Sequence, residues 1–403
     1  MSKPLAGVKV IEIGQEIQGP FGALILSDLG ADVIKIENRE TGDLSRGALA
    51  GRTGGEGLAN AEISPYFLAM NRGKRSITLD LKLPEAVEII LRPVATADVL
   101  LTNYRSGVLD RLGLGFEALK AANSRIVFAQ GSSWGPEGPW VSRPSRDALA
   151  QAASGVMAKG GFEGGLPLPA PFAIADTSGG LSLASGVLAG LFASERTGEA
   201  QRVDVSIYGT MLAMQGWEID FTALTGQEPK RAGRGHQFIR GIWGAFPTAD
   251  GHIAMAGVDE QRWPNFCRIL GIEQMLDDLD VDAESGRPTN GEAIRALLDG
   301  VFPQRTSAAW LEELHAADIL ATEVVDYRTV LASDQARANG YVRPMRHPDA
   351  GDILVSGTPI TLNGEIPDRA EPPPEHGQHT EEVLLEAGYD WEEISQLRER
   401  GAI

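Results

Sequence analysis

Short runs rich in β-branched residues recur along the first half of the chain, at residues 8–13, 32–37, 76–81, 98–103, 125–130 and 202–207. Between most of them lie segments with helical spacing of apolar positions, at 20–29, 84–97, 116–122 and 181–194, closed by polar or glycine residues. Strands alternating with helices predict an α/β, Rossmann-like domain with a mostly parallel sheet covered on both faces. Ligands of such sheets sit beyond the carboxyl ends of the strands.

The pattern changes from about residue 209. A helix-like stretch at 211–224 leads to the Gly/Arg-rich Arg231-Ala232-Gly233-Arg234-Gly235, so 209–244 reads as a linker or mobile loop. A smaller α+β domain is expected over 245–330. It has a hairpin signal at Ala249-Asp250-Gly251-His252 and helical segments near 261–270, 292–301 and 307–317. Residues 331–403 are expected to return to the large domain begun by 1–208. They carry strand-like pieces at 353–355 and 360–362, a Pro-rich connector at 372–374 and a last amphipathic helix near 380–387.

At 403 residues the chain is long for one core, and 43% hydrophobic content is enough for two domains. The formal charge of -19 argues against nucleic-acid or anionic-membrane partners. That charge is unevenly spread. Residues 31–111 hold 11 basic and 11 acidic side chains, whereas 364–403 hold 3 basic and 11 acidic, so any anion should meet the first half. One cysteine, Cys267, and the absence of a long apolar leader or of a run of about 18 apolar residues predict a cytoplasmic protein.

Asp176 is the most informative position. It closes the apolar run 171–175 and opens Thr177-Ser178-Gly179-Gly180 before a helix of small residues. A carboxylate at a helix start accepts the first free N–H groups and meets the positive end of the dipole, both of which favour its ionised form. Such a group is either a simple cap or a positioned nucleophile.

Other motifs weaken on inspection. Gly14, Gly19 and Gly22 between the first strand and helix imitate a dinucleotide fingerprint, but Gln15-Glu16-Ile17-Gln18 puts bulk and an acid where phosphate needs backbone. Gly131-Ser132-Ser133-Trp134-Gly135 has the spacing of a nucleophile elbow, yet Pro136 and Pro139 deny the helix that an elbow feeds. All six histidines fall at or after His236, so a Ser/His mechanism confined to the first half is excluded. His376 and His379 have ligand-like spacing without a third ligand, and no metal is expected. Basic residues gather instead at 35–39, 71–75 and 103–105, next to strand ends, where several cations on one rim suit a phosphate-bearing ligand. The glycine-rich 160–165 is either a surface turn or a loop that admits close approach of a ligand.

Taken together, GADVIKIE at 30–37, NRGKRSITLDLK at 71–82, DVLLTNYR at 98–105, GPEGP at 135–139, the Asp176 helix start and GQHTEEVL at 377–384 resemble the class III CoA-transferase family in consistent order. The resemblance implies an interlocked homodimer of ring-like subunits, and a reaction that needs no permanently bound cofactor and takes a coenzyme A thioester as substrate. It implies that Asp176 is the catalytic aspartate, which accepts the acyl group and then carries CoA as an aspartyl-CoA thioester before a free carboxylic acid receives it. By position it assigns Lys35, Arg39, Lys74, Arg75 and Arg105 to the CoA phosphates, and Asn103 and Tyr104 to the nucleotide. Ile17, Gln18, Tyr66, Trp134, Trp140, Phe162 and His236 are expected pocket walls.

Three departures bear on specificity. Formyl-CoA transferases place Gln where this chain has Ile17, with Gln18 beside it; they place Arg where it has Asn38; and their consecutive glycines are reduced to Gly233 and Gly235. The α-methylacyl-CoA racemases share the resemblance but pair the aspartate with a His after the Gly-Pro loop. Here 139–148 holds Arg143 and Arg146 and no His, and Arg does not readily exchange protons as a base. Acyl transfer is therefore expected ahead of an epimerase or a non-catalytic CoA-ester binder.

Overall fold

The computed structural model describes residues 3–47, 64–239, 242–278, 291–367 and 371–403. The chain forms two compact units. The first comprises 1–154, 170–216 and 331–403, the second 155–169 and 217–330. Segment 217–239, read from its glycines as part of a linker, thus belongs to the second unit together with the glycine-rich 155–169. Arg240 and Gly241 of that expected linker lie outside the described residues.

The first unit is built on β1 (Lys9–Ile13), β2 (Asp32–Asn38), β3 (Arg75–Leu79), β4 (Val99–Thr102), β5 (Val127–Ser132) and β6 (Gln201–Ser206), all parallel, in the order β3-β2-β1-β4-β5-β6. The order reverses between β1 and β4, which makes the carboxyl ends of those two strands the switch point. Alternate residues of each strand feed two different cores. Ile11, Ile13, Ile34, Ile36, Ile77 and Leu79 face the Pro84–Val94 helix and the C-terminal Val383, Leu384, Ile394 and Leu397. Val10, Val33, Val99, Leu101 and Val127 face Ala23 and Leu26 of the Gln18–Asp28 helix and Leu183, Ala184 and Val187 of the Ile174–Thr197 helix.

Local sequence explains the element ends. The Pro84–Val94 helix starts on a proline whose missing N–H costs nothing in the first turn, and its buried Ala86, Ile89, Ile90 and Val94 keep one face. The Ile174–Thr197 helix stops at Gly198, which takes φ of 74°. By length and composition this 24-residue helix could cross a bilayer; here Ser178, Gly179, Gly180, Leu183, Ala184, Val187, Gly190 and Ser194 form a buried face. It begins seven residues earlier than the apolar pattern at 181–194 suggests. It also packs closely on the Gln18–Asp28 helix, because a Cβ on Gly180 would stand 2.9 Å from the Gln18 carbonyl oxygen.

The second unit holds an antiparallel sheet of β7 (Trp243–Pro247), β8 (His252–Ala256) and β9 (Ala321–Glu323) over a core of Phe246, Phe266, Phe302 and Trp310. The Thr248–Gly251 turn is held by the Thr248 N–H on the Gly251 carbonyl, at the place the hairpin signal predicts. Its two glycine stretches are stitched together: Ala232 N–H donates to the Lys159 carbonyl and Gly233 N–H to that of Gly161, while the Arg231 guanidinium donates to the carbonyls of Phe162, Gly165 and Leu166. The first unit also carries the β10 (Val342–His347) and β11 (Gly351–Ser356) hairpin.

Candidate functional site

Asp176 is the third residue of the Ile174–Thr197 helix and not its cap. The N-cap is Ala173, whose methyl offers no hydrogen-bond acceptor. The capping role belongs to Asp147, first residue of the Asp147–Ala153 helix, whose Oδ1 accepts the N–H groups of Ala175 at 2.7 Å and Asp176 at 3.1 Å. Asp147 Oδ2 accepts from Gln151 Nε2, and Gln151 Oε1 accepts the Ala170 N–H, so the carboxylate is fixed from both sides. Asp176 keeps its own oxygens free of that duty.

This arrangement reverses the expected electrostatics. The helix amides that were to hold Asp176 ionised are engaged by Asp147, and burial pushes the Asp176 carboxyl up to about 7, with the negative fields of Asp147 and Glu16 adding and Arg146 opposing. The site thus gathers three carboxyl groups around one guanidinium. Arg146 ion-pairs with Glu16, a non-glycine residue at φ of 66° whose N–H is held by Asp43 Oδ1 at 3.1 Å. Such a left-handed non-glycine conformation is costly and occurs where surroundings impose it. Half-buried Tyr66 feels the same fields: burial, then Glu16, Asp176 and Asp43, push its hydroxyl above the usual tyrosine range, so it remains a donor.

Gln18 opens the Gln18–Asp28 helix and is 5% exposed. Its side chain runs between β5 and the Asp176 helix. A Cβ on Gly131 would stand 2.9 Å from Gln18 Oε1, and one on Gly179, a turn beyond Asp176, 3.3 Å from Gln18 Nε2. The Nε2 group has no hydrogen-bond partner among the described residues. A buried donor without an acceptor is expensive, and a substrate oxygen would satisfy it. Ile17 is the half-buried cap residue of the same helix.

At the switch point Asn103 bridges the backbone of Gln15, accepting its N–H and donating to its carbonyl, both at 2.9 Å. Tyr104 accepts from Gln15 Nε2. The glycines that imitate a dinucleotide fingerprint are explained here: a Cβ on Gly14 or Gly19 would meet Asn103 Oδ1 at 2.9 or 3.0 Å. Gly14 and Gly19 make room for an asparagine, and Gly22 for the Gly180 carbonyl of the neighbouring helix, at 3.1 Å from where its Cβ would stand.

The expected basic rim does not form as one surface. Lys35 is fully buried, with Nζ 2.8 Å from Glu12, 2.7 Å from Asp43 and 2.9 Å from the Gly14 carbonyl. Lys74 is buried against Glu12, the Pro20 carbonyl and Asn71, and burial pushes its ammonium down to about 8. Both were expected at CoA phosphates, and both are enclosed and occupied. Arg75 opens β3, so in a parallel sheet it lies at the rim opposite Asn103, tied to Asp32, Glu382 and Glu386. Arg39 and Arg105 are exposed.

Trp134 and Trp140 form an edge-on aromatic cluster with Tyr208, with ring centroids 5.2 to 5.8 Å apart. Phe162 and His236 belong to the second unit, where His236 packs on Trp217 and Trp243. His376 Nε2 meets the Asn38 carbonyl and His379 Nδ1 accepts the Ser76 N–H. Among the described residues no group of His, Cys, Asp and Glu has the geometry of a metal site. A cavity of about 1390 Å³ is lined by Asp32, Arg75, His347 and the 372–374 prolines, and holds neither Asp176 nor Gln18. Sequence reasoning passed over Asp147 and Glu16, because the 29-residue step from Asp147 to Asp176 follows no helix or strand period.

Comparison with known proteins places this geometry in a family. A model of CoA-transferase family III matches residues 5–380. Succinyl-CoA:glutarate CoA-transferase of Homo sapiens is 32% identical over 403 residues, spanning 100% of this chain and 90% of that protein. Acetyl-CoA:oxalate CoA-transferase of Acetobacter aceti is 31% identical, over 90% of each chain. The crystal structure of a CAIB/BAIF family protein from Brucella suis superposes with a TM-score of 0.85 at 29% identity, over 96% of this chain and 100% of that one.

Proposed function

Because the chain belongs to CoA-transferase family III, we propose that it moves CoA from an acyl-CoA thioester to a free carboxylic acid through Asp176. The observation that carries this reading is a carboxyl group raised to about 7 beside the unpartnered amide of Gln18. A carboxylate poised near neutrality keeps an ionised fraction and is little stabilised by its surroundings, which suits a nucleophile.

In this scheme the Asp176 carboxylate attacks the donor thioester carbonyl, forming a mixed anhydride and releasing CoA thiolate. The thiolate attacks the aspartyl carbonyl, expels the donor acid and leaves an aspartyl-CoA thioester. The acceptor carboxylate then attacks that carbonyl, expels thiolate again, and the thiolate takes the acceptor acyl group and frees Asp176. Gln18 Nε2 donates to the oxygen that becomes negative in these steps. Asp147 is a positioning residue that fixes the backbone on which Asp176 rides. Exposed Arg39 and Arg105 are the remaining candidates for the CoA phosphates, with Asn103 and Tyr104 nearer the nucleotide. Ile17 and Trp134 stay as proposed pocket walls.

The exposed apolar residues of the Asp176 helix, Leu181, Leu188 and Phe192, support a homodimer. The single buried thiol of Cys267 suits a reducing cytoplasm. The named relatives act on succinate, glutarate and oxalate, and this chain is proposed to take carboxylic acids of similar size.

Trapping tests the reading. Protein incubated with an acyl-CoA donor and hydroxylamine should gain a hydroxamate at Asp176 by mass spectrometry. Donor turnover without that modification, or full activity in Asp176→Ala, removes it. Deuterium entering the α-carbon from solvent without CoA exchange would point to an epimerase instead.

A further inference from the structure

We infer that Arg146 binds a second carboxylate of the substrate, so that the acids exchanged at Asp176 are dicarboxylic. The inference rests on the transferase reading and deepens it.

Arg146 is the cap residue directly before Asp147, and Asp147 Oδ1 receives the Asp176 N–H at 3.1 Å, so chain geometry holds Arg146 beside the nucleophile. Its side chain is 70% exposed while Asp176 is half-buried, which puts the guanidinium on the solvent side of the site and the reacting carboxyl beneath it. Of its donors, Nη1 is engaged by Glu16, and Nε and Nη2 have no partner among the described residues. A planar guanidinium with donors to spare matches a carboxylate in two-point fashion.

Charge explains why the site needs this. Asp176, Asp147 and Glu16 face one cation, so a dianionic acid entering unaided would be repelled. The reacting end of the acid has the Gln18 amide available to it. The distal end would meet Arg146, the arginine that opposes the raised Asp176 carboxyl among the described residues. An incoming carboxylate would take Nε and Nη2 of Arg146 while Glu16 keeps Nη1. The Glu16 pair keeps Arg146 in place when substrate is absent, and its negative charge opposes a second carboxylate there.

The test pairs acceptors of equal chain length, valerate with glutarate and caproate with adipate, using acetyl-CoA and succinyl-CoA as donors and reading the new acyl-CoA by mass spectrometry. The wild-type protein should prefer each dicarboxylate. Arg146→Ala should cut the ratio of dicarboxylate to monocarboxylate kcat/KM by about tenfold or more, chiefly through KM, and Arg146→Lys should restore part of it. Glu16→Gln should lower the KM for glutarate. Equal losses on both acids in Arg146→Ala would show that Arg146 serves the reacting end and would overturn the inference, as would an unchanged ratio. Hydroxamate at Asp176 with no acid preference overturns the inference alone. No CoA exchange and no hydroxamate with any donor overturns the transferase reading as well.

Discussion

Two clusters of charged side chains lie in the same unit and behave in opposite ways. Around Lys35, buried cations and carboxylates are matched: Lys35 and Lys74 share Glu12, Asp43 closes on Lys35, and Arg46 holds Glu37. Burial would lower the Lys35 ammonium, but Glu12, Asp43 and Glu37 outweigh it and push it above the usual range, while Asp43 and Glu37 move below theirs. Around Asp176 the carboxyl groups outnumber the cation, and Asp176 moves the other way, to about 7. Compensated charge is structural, and uncompensated charge is available for chemistry. Basic residues in a sequence do not reveal which kind of cluster they will join.

The widest separation between the clusters comes from removing their central residues. Asp176→Asn should lower CoA exchange by at least about 10³-fold, because no covalent carrier remains, as read by turnover of an acyl-CoA donor. The same substitution should stabilise the fold. A carboxyl raised in the folded state favours folding only while protonated, so its penalty is absent below the unfolded value near 3.8, grows as pH rises, and is complete above about 7. Thermal unfolding should therefore show a higher Tm for Asp176→Asn at about pH 8 and little difference at about pH 4. Equal gains at both pH values would mean that Asp176 is not held neutral by its surroundings.

Lys35→Met should do the reverse. It leaves Glu12 and Asp43 buried without their cation, and breaking a buried pair costs about 3–5 kcal/mol. Denaturant unfolding should show that loss, and the refolded fraction should keep its KM for acyl-CoA. A normal stability with a raised KM would return Lys35 to the phosphate site.

These expectations also mark what was legible beforehand. The strand and helix alternation was readable because parallel strands buried on both faces are continuous apolar runs, as in Val99–Thr102. Asp176 stood out through its apolar approach and the glycines after it. Lys35 misled because a lysine inside a β-branched run has the same sequence appearance whether its ammonium reaches a ligand or a buried Glu12. Arg75 could not be placed on a rim from sequence alone, because a strand start and a strand end fall on opposite rims of a parallel sheet, a distinction that adjacency in sequence hides. Asp147 was silent because its role depends on a contact across 29 residues.

Asp147 offers a subtler contrast. Asp147→Asn keeps an oxygen for the Ala175 and Asp176 N–H groups and removes the negative field that helps to raise Asp176. Transfer needs ionised Asp176, so wild-type kcat/KM should fall as pH drops through about 7, and in Asp147→Asn that limb should move to lower pH. A profile that loses amplitude without moving would assign Asp147 a purely structural role.

The smallest effect should come from Arg75, whose pairing with two glutamates reaches solvent. Its guanidinium is shared by Asp32, Glu382 and Glu386, and the two glutamates are about half exposed, so water and salt screen much of the attraction. Arg75→Ala should cost about 1 kcal/mol, a loss that shrinks as salt is added, with no change in KM for the CoA ester. The salt dependence distinguishes it from Lys35, whose buried partners are shielded from counterions. A KM that rises severalfold would place a CoA phosphate at the amino rim of β3 and end the division between matched and unmatched charge, since one residue would then serve both.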